Sequence, residues 1–251
     1  MTSILSELLE TLYCGVNPLL TAQMRHLDRN YPHTNIRPAL VDKILEKFHP
    51  TFWLELGSFV GGSAIVAANC AKKAQMATQI VCMDPFCGDV NMWAWEKATP
   101  VAGSDGRPYK FVGLENGRPT VYDRFLANIF FAGHMDKVLP VPCTAIVGLK
   151  LVQRLVDEGR LSGKPTVIYL DSAHELNETF IELDLAWKLL PSGGVLFGDD
   201  WGWAAVRHDV KRFARDVEVG RATLQDMVEA MPGSEIDGGI FLFEGQWALF
   251  K

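Results

Sequence analysis

Apolar residues in the first fifty positions recur at helical spacing. Ile4, Leu5, Leu8, Leu9 and Leu12 fall on one face, and Gly15 through Pro18 end that run. Leu40, Ile44, Leu45 and Phe48 share a face in a second helix over 38–48. The period then changes. Phe52-Trp53-Leu54-Glu55-Leu56 is a short apolar run closed by Gly57, the pattern of a parallel strand buried on both faces. Beyond it, helices over 63–73, 120–131, 149–158, 178–190 and 205–216 alternate with strands over 80–83, 138–141, 166–170 and 195–198. Runs over 240–243 and 247–250 read as a terminal hairpin.

Such alternation predicts an α/β fold: a Rossmann-like, doubly wound, seven-stranded, mostly parallel sheet that ends in an antiparallel hairpin. Residues 1–50 form an N-terminal helical extension to a domain over 51–251. The segment over about 86–118 breaks the rhythm with Gly88, Gly103, Gly106, Gly113, Gly117, Pro100 and Pro108, and carries Trp93 and Trp95. A stretch this long between two elements predicts a lid-like insert.

Composition narrows the function. The net charge of −6 argues against a nucleic-acid binder and against a polybasic membrane anchor. No stretch approaches the roughly 18 uninterrupted apolar residues of a spanning helix. Five cysteines without a CxxC pair predict buried thiols, not disulfides or a zinc knuckle, and a cytoplasmic setting.

Chemistry-bearing residues follow directly after successive strands, at Gly57, Asp84, Thr144, Asp171 and Asp199. In a parallel sheet those positions line one crevice. The turn Gly57-Ser58-Phe59-Val60-Gly61-Gly62 has G-x-x-x-G-G spacing, unlike the G-x-G-x-x-G of dinucleotide enzymes, which disfavours a nicotinamide dehydrogenase. It also lacks the Gly-Lys-Ser/Thr ending of a phosphate loop. Asp84, 27 residues beyond Gly57, can accept both hydroxyls of a ribose.

Asp171 ends one strand, and Asp199-Asp200 end the next, 28 residues later. Three carboxylates at neighbouring strand ends repel one another, and a hard divalent cation such as Mg²⁺ resolves that repulsion. The structural alternative is that Asp199 or Asp200 caps the following helix. His174, three residues past Asp171, can remove a hydroxyl proton near neutral pH or serve as a supporting partner or cap. His208 reads as surface or packing. Trp201 and Trp203 beside the acids are core residues or a wall for a small molecule.

The chain resembles class I S-adenosylmethionine (SAM)-dependent methyltransferases. Glu55, Gly57 and Gly61 match their acidic-x-Gly-x-x-x-Gly motif, Asp84 their ribose-binding acid, and Leu189 to Gly194 their L-x-P-G-G turn, with Ser192 added. The resemblance, covering residues 50–250, implies cofactor binding by Glu55, Gly57, Ser58, Gly61, Gly62, Ser63, Asp84, Cys143, Thr144 and Asp171. The acids resemble those of metal-dependent O-methyltransferases. Asp200 stands where catechol-type enzymes usually have Asn, which favours the macrocin O-methyltransferase and cephalosporin-hydroxylase-like branch. That likeness implies Asp171, Asp199 and Asp200 as ligands of Mg²⁺ or another divalent cation, with His174 or Asp171 as the base. It implies a natural-product or sugar hydroxyl as acceptor. The alternatives are a noncatalytic SAM- or nucleoside-binding partner in a biosynthetic complex and an N-methyltransferase without metal. The N-terminal helices are expected to support a homodimer or higher homo-oligomer.

Overall fold

The computed structural model of the protein describes residues 3–21, 34–94 and 112–251. Trp95, Gly103, Gly106, Pro100 and Pro108 lie outside them, as does most of the expected insert. The helices in chain order are α1 (Ile4–Tyr13), α2 (Pro18–Thr21), α3 (Pro38–Phe48), α4 (Gly62–Lys73), α5 (Val90–Ala94), α6 (Val121–Ala132), α7 (Ala145–Asp157), α8 (Glu178–Leu189), α9 (Ala204–Asp216) and α10 (Arg221–Ala230). The strands are β1 (Phe52–Leu56), β2 (Gln79–Met83), β3 (Val138–Val141), β4 (Val167–Leu170), β5 (Val195–Gly198), β6 (Glu235–Asp237), β7 (Ile240–Phe243) and β8 (Gln246–Phe250).

The sheet has eight strands in the order β3-β2-β1-β4-β5-β8-β7-β6, one more than the sequence predicts. Strands β1 to β5 pair in parallel, and β8, β7 and β6 pair antiparallel. The additional strand is Glu-Ile-Asp, with two exposed residues and one half-buried, so no apolar run marks it.

Side chains alternate across the pleat and bury on both faces. Trp53, Ile80, Cys82, Val167, Tyr169, Val195 and Phe197 pack under α3, α4, α6 and α10. Phe52, Leu54, Val81, Met83, Ile168, Leu170 and Leu196 pack under α1, α7, α8 and α9. Helix α4 is narrow on its buried side, with Ala64, Ala67, Ala68 and Ala71, which lets its backbone approach the sheet closely. Helix α1 begins at Ser3, whose hydroxyl accepts the Ser6 N–H, and Thr144 caps α7 likewise from Val147. Among the described residues, no helix is long and apolar enough to cross a membrane.

The strand order reverses between β2-β1 and β4-β5, and that switch point opens the cleft at the carboxyl ends of these strands. Gly57, just past β1, has φ +81°, and a β-carbon there would lie 2.2 Å from the Asp171 carbonyl oxygen. The turn after β1 and the end of β4 are thus in backbone contact. Gly57→Ala is expected to destabilise the fold by at least about 1–3 kcal/mol, the scale of the backbone strain alone. Urea unfolding measures it, and an unchanged midpoint would contradict the close approach.

Candidate functional site

The cleft is walled by Gly57, Ser58, Ser63 and Asp84 on one side and by Asp171, Ser172, His174 and Asp199 on the other. Thr34 and Asn35, ahead of α3, and Asp89, ahead of α5, complete it. Residues separated by up to 165 positions therefore meet because parallel strands end together.

Asp84 is held by backbone donors. Its Oδ2 accepts the N–H groups of Ser58 and Phe59, each at 2.8 Å, and its Oδ1 accepts that of Phe86. The carboxylate thus shapes the glycine turn, and Oδ1 keeps a further lone pair for a ligand hydroxyl. Burial pushes its pKa up despite those three donors.

Glu55 sits on β1 beneath the turn, fully buried. Its Oε1 accepts the Ser63 hydroxyl at 2.9 Å, while Oε2 has no hydrogen-bond partner. Burial raises its pKa from 4.5 to about 7. The Ser58 hydroxyl is also buried without a partner. Gly61 and Gly62 open α4 and lie outside the cleft wall. A β-carbon at Gly61 would press on Phe125 of α6, so glycine serves helix packing there. After β3, Ala145 lines the cleft, whereas Cys143 and Thr144 do not, because the Thr144 side chain turns to cap α7.

The second wall is an acid cluster around one imidazole. His174 Nε2 lies 2.7 Å from Asp200 Oδ2 and 3.9 Å from Asp171 Oδ1. Its Nδ1 lies 2.8 Å from Asp89 Oδ2, a close contact whose angle falls short of a hydrogen bond. Trp203 packs on the ring, with centroids 5.2 Å apart. Burial lowers the His174 pKa, but Asp200 and Asp89 outweigh it and bring it to about 10. His174 is therefore an imidazolium at neutral pH while no other cation neutralises the acids. Burial, followed by the charges of Asp200 and Asp199, pushes Asp171 well above the usual carboxylate range. Tyr169 donates its hydroxyl to Asp171 at 3.1 Å.

Asp171, His174 and Asp200 present ligand atoms within 4.8 Å of one another, a donor set that fits a divalent cation. Asp199, expected as the third ligand, stands outside that trio. Its Oδ1 accepts the Asp200 N–H at 2.8 Å, which supports the left-handed turn at Asp200, φ +60°. Neither acid caps α9, whose N-cap is Trp203 with no side-chain bond. His208 is half-exposed, 3.0 Å from the buried Asp209, which in turn accepts the Phe180 N–H in the first turn of α8.

Sequence reasoning missed Asp89 and the Ser172–Glu182 pair, in which the Ser172 hydroxyl donates to Glu182 at 2.7 Å. Burial raises Glu182 to about 7. A glutamate on the apolar stripe of α8, beside Leu183 and Ala186, was the available signal for that pair.

A family model described as "Methyltransferase domain" matches residues 54–201. The O-methyltransferase TomG from Streptomyces achromogenes, solved with SAM and involved in tomaymycin synthesis, is 15% identical. The alignment covers 99% of this chain and 96% of that one, with a TM-score of 0.50, a likeness of fold. An O-methyltransferase from Bacillus cereus in complex with SAH is 14% identical over 99% of this chain and 98% of that one, with a TM-score of 0.49. No curated protein matches the chain in sequence.

Glu55 gives the glycine turn a pH signature. Its folded-state pKa of about 7 exceeds its ordinary 4.5. The stability it contributes is therefore full below pH 4.5, declines as the pH rises, and is gone above about 7. Between pH 4.5 and 8, Glu55→Gln should remove a decline on the order of 3 kcal/mol. Parallel slopes for the two proteins in denaturant unfolding would contradict the buried, half-satisfied carboxyl.

Proposed function

The chain belongs to the methyltransferase-domain family whose model its residues 54–201 match, and from that premise we propose that it moves the methyl group of SAM to a hydroxyl of a small acceptor. The acceptor we infer is a sugar or natural-product hydroxyl, and the acids hold a divalent cation. One observation carries this reading: the glycine turn with Asp84 and the acid cluster with His174 face each other across one cleft. A cofactor on the first wall and an acceptor on the second would lie within reach of each other.

In the transfer the bond from sulfonium sulfur to methyl carbon breaks, the bond from acceptor oxygen to that carbon forms, and the hydroxyl proton leaves. Positioning supplies much of the rate. Asp84 Oδ1 offers a polar contact to the nucleoside end of SAM. Asp171, Asp200 and His174 would hold a cation, and Asp199 supports the turn at Asp200 by accepting its N–H. Bound there, the cation would lower the acceptor hydroxyl's pKa. The mixed carboxylate and imidazole set suits Mn²⁺ or another first-row ion as well as Mg²⁺. A His174 Nε2 that ligates the cation has no lone pair for the acceptor's proton, so Asp171, through a carboxylate oxygen left off the cation, would take it.

A second reading, N-methyl transfer without metal, leaves His174, 2.7 Å from Asp200, as the proton-handling group of the cluster. The five free cysteines fit the cytoplasm. Exposed Val16 and Leu20 fit homo-oligomerisation through the N-terminal helices, which a monomeric mass in light scattering would contradict.

Isotope-labelled SAM offered with a panel of vicinal diols tests the proposal. Asp171→Asn and Asp200→Asn should each lower transfer by about 100-fold or more, with SAM binding in calorimetry preserved. Undetectable SAM binding would contradict the cofactor assignment, and variants that keep full function would favour a noncatalytic binding partner. Turnover unchanged by EDTA would remove the metal and leave the second reading.

A further inference from the structure

Asp89 has no part in the transfer described above, yet its carboxylate ends against the His174 ring. The segment that carries it is well fixed. The Phe86 N–H is bound by Asp84, and the Phe86 ring packs at 5.0 Å from Tyr122 and 5.1 Å from Phe125. Gly88 turns with φ +75°, and the Trp93 indole N–H closes back on the Cys87 carbonyl at 2.8 Å. Asp89 Oδ1 accepts the Met92 N–H at 2.9 Å in the first turn of α5. That bond leaves Oδ2 directed into the cleft, 2.8 Å from His174 Nδ1.

We propose that Asp89 is a positioning residue that sets the orientation of the His174 ring, holding Nδ1 on its own side so that Nε2 faces Asp200, Asp171 and the acceptor. Among the described residues, Nδ1 is buried with no well-angled hydrogen-bond partner, so the Asp89 contact is what distinguishes the two ring nitrogens. Trp203 packs against the ring and leaves the in-plane direction to the carboxylates at its two ends. A ring flip would turn carbon edges toward Asp89 and Asp200 and forfeit both contacts. Carboxylates behind functional imidazoles select tautomer and ring orientation in this way. The angle falls short of ideal, and such contacts commonly tighten in a substrate complex. The same residue joins the start of the segment after β2, anchored through Asp84, to the acid cluster just past β4 and β5.

The inference rests on the reading that His174 faces the acceptor, and its test separates the two. Ring-labelled ¹⁵N histidine is followed by NMR in the full chain with S-adenosylhomocysteine added, the His174 signals being assigned by their loss in His174→Gln. Asp89→Asn retains an acceptor oxygen. Asp89→Ser can still cap Met92, which protects the fold, but cannot reach the ring. The wild-type spectrum should show a strongly deshielded His174 Nδ1–H that Asp89→Asn, with a single neutral acceptor oxygen, weakens and Asp89→Ser loses. In the transfer assay, Asp89→Ser should lower kcat by about 10–100-fold, with the KM for SAM within about twofold and partial rescue in Asp89→Asn. An unchanged ring signal in Asp89→Ser, or a kcat within twofold of wild type, overturns the proposal. If wild type transfers no methyl group, the functional reading fails by itself, and the ring signal still decides what Asp89 does.

Discussion

Position 57 has no room for a side chain: a β-carbon there would sit 2.2 Å from the Asp171 carbonyl oxygen and 2.6 Å from the Ser172 α-carbon. This backbone contact joins the end of β1 to the end of its neighbour β4, at the point where the strand order reverses. The Gly57 N–H also donates to the Met83 carbonyl at the end of β2. Three strand ends are thereby locked together. The glycine turn that Asp84 shapes and the carboxylates that surround His174 are consequences of that lock, and the cleft between them has fixed walls.

Electrostatics sets the second constraint. Asp89, Asp171 and Asp200 approach one imidazole, with Asp199 and Asp84 nearby in the same cleft. Burial and like charge raise the pKa of Asp171, and the carboxylates facing the ring keep a proton on the histidine. The arrangement is poised for positive charge, whether from His174 alone or from a bound cation. Changing the charge on the acids changes whether His174 can accept a proton.

The five parallel strands were legible because each is a short apolar run buried on both faces, and the residue after each run is where chemistry collects. That positional logic pointed to glycine at 57 and aspartates at 84, 171 and 199, which line one cleft. Elements without an apolar run escaped it. Strand β6 is Glu-Ile-Asp on an exposed edge, α5 has five residues, and α10 buries only Leu224 and Met227. Helix α7 starts at Ala145, a turn earlier than its apolar spacing suggests, because Thr144 supplies the cap. Within the site, the sequence pointed to Asp199 as a third ligand, whereas the structure turns its carboxylate back on the Asp200 N–H. Asp89 was illegible for a different reason: only the folded chain brings the segment after β2 against a histidine 85 residues away.

The most direct test of this account is a crystal structure of the protein with S-adenosylhomocysteine and Mn²⁺. The account predicts the ribose beside Asp84 at the glycine turn, and the metal's anomalous signal between Asp171 and Asp200. A nucleoside bound outside this cleft, or a cation held by other residues while these acids stay bare, would contradict it.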